Sequence, residues 1–273
     1  MRSHLFFVVL IALSLSMGML VVFGCGDDDD DSGGDDDAGG DDDAGGNSIN
    51  AVVHDFQTKQ AVAGVVVELI NNDTGESFDP PITATSPNDG WVTLPIPEGV
   101  TQIGVKCSKQ GYHDTYQYYF EAGMSGEEFL IVSEVTASLV AQILGIVLDP
   151  AKGHFAGGFY WGSPSDENPI GCGWVETDPP CDEIHYMGLD DLPTLDRDVT
   201  GDTPSNGQGT NPANGYWVAM NFPTGAAVAT GHSGDYAESV TIPVVRANSI
   251  CITNIYYSKS DYPDDPTEGF CTE

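Results

Sequence analysis

The sequence predicts an all-β protein: two tandem β-sandwiches set behind an apolar N-terminal segment and an Asp/Gly-rich tether. Three observations predict it. From Ile49 onward, apolar and polar residues alternate with the period of two that marks half-buried strands. Turn residues punctuate these runs, with 33 Gly and 17 Pro in 273 residues. A stretch of the first half is also echoed in the second. Hydrophobic residues make up 40% of the chain, enough for a packed core.

Residues 1–24, MRSHLFFVVLIALSLSMGMLVVFG, combine a cationic start at Arg2 with an apolar run from Leu5 to Phe23. That pattern is a secretory signal. Val22-Phe23-Gly24-Cys25 resembles the lipobox of bacterial lipoproteins, although Phe23 is bulkier than the small residue usual there. The resemblance implies cleavage before Cys25 and acylation of its thiol and amine. Two or three acyl chains, at about 0.8 kcal/mol per buried CH2, anchor a protein essentially permanently. Gly26, not Asp, follows Cys25, which under the common sorting rule implies the outer membrane. Residues 25–47 are the tether. Between Gly26 and Gly46 no apolar side chain exceeds Ala, so this stretch cannot offset its ordering entropy and reads as a solvated spacer.

The first sandwich is expected over 48–132. Val65, Val67 and Leu69 share one face of a strand, and Ile103, Val105 and Cys107 one face of another. Turns are marked at Asn71–Gly75, Pro87–Gly90, Pro97–Gly99 and Lys109–Gly111. Four segments carry a resemblance: Asp55-Phe-Gln-Thr-Lys-Gln-Ala-Val-Ala-Gly64-Val-Val-Val, Pro87-Asn-Asp-Gly90-Trp91-Val92, Ile96-Pro97-Glu98-Gly99 and Gly111-Tyr112. Together they resemble the carboxypeptidase regulatory-like (transthyretin-like) domain over about residues 49–121. Lys59 stands where that family has its first Gly. The resemblance implies a seven-stranded Ig-like, prealbumin-type sandwich. It supplies no catalytic residues, because such domains accompany enzymes, transporters or adhesins.

In the second half, Gly215-Tyr-Trp-Val-Ala-Met-Asn-Phe-Pro223-Thr-Gly225 echoes Gly90-Trp-Val-Thr-Leu-Pro-Ile-Pro97-Glu-Gly99. A second sandwich of similar type is therefore expected over 146–273. Between the two, Ser133 as cap, Val135, Leu139 and Ile143 at i+4 spacing, and Gly145 as stop predict a short connecting helix over 133–145. A strand is the alternative, given the Val, Thr and Ile content.

Six cysteines are present. With Cys25 committed to lipid, export permits disulfides, and the expected pairs are Cys172–Cys181 and Cys251–Cys271, one of three ways to join four cysteines. Cys107 is expected to be a buried free thiol.

Signs of chemistry are sparse. Gly231-His232-Ser233-Gly234-Asp235 has Asp where a nucleophile elbow needs Gly, and reads as a hairpin turn. His54, His113, His154, His185 and His232 are scattered, with no H-E-x-x-H pair. The Tyr112–Phe120 strand alternates Tyr116, Tyr118 and Phe120 as core residues do, with a sugar-stacking platform as the alternative. Loop 188–214 lacks periodicity. Within it Asp196, Asp198, Thr200 and Asp202, with Gly201 at the sixth position, begin like a calcium loop, but Gly207 stands where the closing Glu belongs. No other cofactor is indicated.

The net charge is −34, from 8 Lys+Arg against 42 Asp+Glu, and eleven of the Asp fall within residues 27–43. Residues 47–273 still carry 31 acids against 7 bases, or −24. Such a surface repels phosphate backbones, which excludes nucleic acid as a partner. The expected function is a non-catalytic envelope lipoprotein that displays sandwich modules for binding or support. The alternative is a carbohydrate-binding or adhesion module serving an extracellular enzyme.

Overall fold

A computed structural model describes residues 47–163, 168–188, 191–198 and 208–261. The two-residue alternation yields β1 (Ser48–Asp55), β2 (Val66–Asn71), β3 (Thr83–Thr85), β4 (Trp91–Pro95), β5 (Gln102–Ser108), β6 (Asp114–Glu121) and β7 (Ser125–Ile131) in the first half. They form two layers. One is β4-β1-β7, with β1 and β7 parallel; the other is β3-β2-β5-β6. Val65, Val67, Leu69, Ile103, Val105 and Cys107 all turn inward and are fully buried, meeting Ile49, Val53, Leu94 and Phe129. This is the seven-stranded sandwich that the motif residues imply.

Those motif residues build turns. The Asp55 carboxylate accepts from the backbone N–H of Gln57 and Thr58 and from the Thr58 hydroxyl. Lys59 has φ +56°, the left-handed conformation that glycine adopts without strain. The same turn recurs at Asn71-Asn-Asp-Thr74-Gly75, where Asn71 Oδ1 accepts from Asp73 N, Thr74 N and Thr74 Oγ1.

Ser133 and Gly145 bound the helix α1 (Glu134–Leu144) as expected. Ser133 Oγ accepts from Thr136 N at 3.0 Å, and Gly145 ends the helix at φ +72°. Its orientation differs from the i+4 reading. Val135, Leu139 and Ile143 face outward, at 78%, 42% and 40% exposure, while Ala137, Ala141 and Leu144 are buried. Small alanines let the helix lie close against the sheet, on Ile250, Ile252, Val218 and Met220.

The second half contains β8 (Gly153–Trp161), β9 (Asn168–Pro169), β10 (Trp174–Asp178), β11 (Ile184–Met187), β12 (Pro193–Thr194), β13 (Tyr216–Phe222), β14 (Gly225–Ser233), β15 (Tyr236–Val245), β16 (Ser249–Ile252) and β17 (Ile255–Tyr257). Sheet β10-β14-β15 packs over β12-β11-β13-β8-β16 around Phe155, Phe159, Trp217, Phe222, Ile242 and Tyr257. The repeat has a structural meaning. After each positive-φ glycine, Gly90 or Gly215, the second and fourth residues are buried: Val92 and Leu94, then Trp217 and Ala219. Each P-x-G then carries the chain to the opposing layer, from β4 to β5 and from β13 to β14.

β16 joins the halves. It pairs in parallel with both β6 and β8, placing Cys251 between Tyr116 and Phe155. One sheet therefore runs from β12 through β16 to β3. The core changes near residues 133–145, yet this sheet continues past them. Tyr116 and Tyr118, on the face of β6 opposite the first core, are buried in the second. The Tyr-rich strand is thus packing surface on both sides, because a positive φ of 71° at Tyr119 reverses the alternation and swings Phe120 onto Phe129.

Candidate binding cleft

β16 and β6 stay together for four residues and then part. At the turn after Ile252, the Thr253 carbonyl lies where a side chain on Gly157 would stand, and Asn254 Oδ1 accepts from Gly158 N at 3.0 Å. These contacts hold the chain against β8, where it continues as β17. β6 runs on to Glu121 paired only with β5 among the described residues. The parting opens a cleft of about 960 Å³. Its walls include Tyr119 and Glu121 of β6, Glu127 and Glu128 of β7, Glu238–Thr241 of β15, and Tyr160 and Tyr256. Trp217 borders it, fully buried, with an indole N–H that has no hydrogen-bond partner.

Three consecutive residues of β6 tie the layers together beside the cleft. Gln117 reaches β7, donating Nε2–H to Leu130 O and accepting from Leu130 N, both at 3.1 Å. Tyr118 donates its hydroxyl to Val244 O at 3.3 Å, and Tyr119 donates to Thr241 O. Burial pushes both phenols above their ordinary range, so they remain protonated donors. These side chains cover backbone groups at the edges of β7 and β15, edges that otherwise invite pairing. The cleft is acidic: Glu121, Glu127, Glu128 and Glu238 line it, and Lys59 is its single Lys or Arg.

Of the residues singled out from sequence, Tyr118, Phe120 and His154 line the cleft. Cys25 is outside the described residues, as are Thr200, Asp202 and Cys271. The expected cysteine pairs need correction. Cys181 and Cys251 are free thiols, the first donating to Met220 O at 3.4 Å and the second buried within β16. Cys172 is disulfide-bonded, but not to Cys181. The physical reason is strand placement: Cys251 sits between two paired strands, in the core beneath β15, and Cys181 approaches β13 instead. Cys107 is the buried free thiol expected, its pKa pushed up to about 12 by burial.

Of the proposed calcium ligands, Asp196 stands in a short 3₁₀ turn and Asp198 turns to His185. The His185 ring is held between Asp198 at 3.0 Å and Glu183 at 3.3 Å. Burial raises the Asp198 pKa, opposed by the hydrogen bond and charge of His185. Gly231–Asp235 forms the β14–β15 hairpin, with His232 stacked on Trp174 at 4.1 Å. His113 and His154 meet edge to face at 6.1 Å. No group of three or more His, Cys, Asp or Glu positioned for a metal occurs among the described residues, and no helix among them is long and apolar enough to cross a membrane.

Sequence reasoning missed the cleft. Its walls come from strands far apart in the chain, and no local signal marks the point where β16 leaves β6.

No protein-family model matches the chain. No curated protein matches it either. Solved structures similar to parts of it include the Bacillus anthracis TIE protein, at 12% identity and TM-score 0.24, covering 77% of this chain and 34% of that one. Shaft pilin SpaA of Lactobacillus rhamnosus GG is 12% identical, with TM-score 0.23, covering 78% of this chain and 98% of the pilin. The minor pilin GBS52 of Streptococcus agalactiae is 11% identical, with TM-score 0.22, covering 77% and 95%. The chain thus spans about a third of the Bacillus anthracis protein. At these scores the likenesses carry no inference about function. The assignment as an all-β protein rests on the chain's own strands and sheets.

Proposed function

We propose that the chain is an exported envelope lipoprotein, held in the outer membrane through acylated Cys25 and its Asp/Gly spacer, that displays a non-catalytic β-sandwich module for binding another envelope component. The observation that carries the binding role is the acidic cleft where β6 and β16 part. Gln117, Tyr118 and Tyr119 join the layers beside it, and Glu121, Glu127, Glu128 and Glu238 line it. The lipobox residues support the anchor.

Membrane fractionation tests the anchor. The chain is expected with the membranes, and its N-terminal peptide is expected to begin at an acylated Cys25. Cys25→Ser is expected to leave the chain uncleaved and unacylated. An unmodified Cys25 in a cleaved chain would sink the lipoprotein reading. A second reading, glycan binding, is favoured by Tyr160 and Tyr256, stacked at 5.6 Å in the cleft wall. A glycan array with no specific hits would count against it.

A further inference from the structure

We propose that two copies of this chain pair face to face through the outward side of α1. The pairing is independent of the cleft and of whatever the cleft takes.

The exposed side chains come first. Val135, Leu139, Ile143 and Val147 are four of the seven large hydrophobic side chains exposed among the described residues. Val135, Leu139 and Ile143 form one ridge at i+4 spacing along α1, and Val147, 86% exposed, stands just past the Gly145 cap. Leu195, a fifth, follows β12, the strand beside α1. The opposite face of the helix is already occupied by Ile250, Ile252, Val218 and Met220. A helix lying on its own domain needs only that one apolar face.

The charge comes next. The fourteen residues between Glu134 and Asp149 carry none, whereas residues 47–273 carry −24. Copies of so acidic a chain repel where their carboxylates approach, and α1 is a face they can share without bringing carboxylates together. A basic partner finds nothing to complement there. A bilayer is no better matched: helices that lie on membranes set Lys and Arg beside the apolar face, and the one charged residue of α1 is Glu134.

Shape and area agree. Leu139 is the central residue of α1 (Glu134–Leu144). A two-fold axis there sets Val135 of one copy against Ile143 of the other, and lets each i±4 ridge lie in the groove beside the other. The four side chains expose roughly 400 Å² per copy, the range of functional patches on single chains. With the exposed Ser138 and Gln142 on the same turns, two copies bury about 1,000 Å² in total, where specific interfaces begin.

The test is made in intact cells that produce the full chain, so it does not depend on the state of Cys25. Leu139→Cys is oxidised with copper–phenanthroline, and the products are read on non-reducing gels and mapped by mass spectrometry. A residue on the axis meets its own copy. A covalent dimer joined through position 139 is therefore expected, several-fold above that of Asp235→Cys on the exposed β14–β15 hairpin. Adding Val135→Glu and Ile143→Glu sets like charges across the axis and is expected to lower the yield to that of the hairpin. Adding Val135→Glu and Ile143→Lys sets opposite charges there and is expected to restore much of it. Both pairs lie at exposed positions and are expected to leave the fold intact. A yield no higher than the hairpin's, as a face covered by lipid would give, would overturn the proposal. So would a cross-link to a different protein, or an equal loss in the two charge variants.

Discussion

Gln117 bonds to the main chain of Leu130 as a neighbouring strand would. Its amide donates to Leu130 O and accepts from Leu130 N, each at 3.1 Å, across two layers that share no ladder at that point. Removing the amide leaves a half-buried N–H and C=O without partners, at about 1–3 kcal/mol. Gln117→Leu is expected to lower the urea-unfolding free energy by that amount with little change in slope. An unchanged midpoint would show that water replaces both bonds.

His154 predicts a pH dependence. Burial, with the His113 charge second, holds its pKa down to about 4, and its neutral Nδ1 accepts from Asn221 N at 3.2 Å. In the unfolded chain a histidine titrates near 6.5. Below that value the unfolded state binds the proton that the folded state refuses, so stability falls with pH. The contribution is complete above about pH 6.5 and is lost progressively as pH falls toward about 4. Between about pH 7 and about pH 5 the loss is on the order of 2 kcal/mol. His154→Gln is expected to flatten this part of the urea-unfolding profile; a parallel profile would rule His154 out as its source.

The thiols differ in reactivity. Cys107 and Cys251 are buried, with pKa values raised by desolvation, and half-buried Cys181 is raised for the same first reason. Alkylation of the native chain is expected to spare Cys107 and Cys251 until denaturant is added. If Cys25 is acylated, as proposed, the three free thiols leave Cys271 to pair with Cys172. Non-reducing peptide mapping is expected to link those two, and a Cys172–Cys181 link would contradict the strand placement described above.

The helix supplies a contrast. Val135→Gln and Leu139→Gln are expected to change stability by no more than about 0.5 kcal/mol. Leu144→Ala is expected to cost about 2 kcal/mol or more, and Ser133→Ala about 1 kcal/mol. The reverse order, measured by chemical denaturation, would mean that the helix packs through its other face.

Gly157 sets the cleft. A methyl group there meets the Thr253 carbonyl, so Gly157→Ala is expected to cost about 1–3 kcal/mol and to displace the turn that separates β17 from β6. Thermal unfolding checks the first effect and faster amide exchange over 253–257 the second.

Local patterning determined much of this protein. Alternation at Val65–Leu69 and Ile103–Cys107 chose strand and inward face together, because one covered face of a sheet requires the period of two. Asp55 and Thr58 specified a turn, and Ser133 and Gly145 the limits of a helix, because caps act over three or four residues. Only the tertiary structure decided which face of that helix is buried, which cysteines stay free, and where two strands part to leave a cleft. Each of these depends on what lies opposite a residue. Ala137 and Ala141 are covered because a sheet approaches them closely, and Cys251 is free because it lies between β6 and β8. Contacts between residues more than a hundred positions apart, such as Tyr118 with Val244, leave no periodic trace in the chain that makes them.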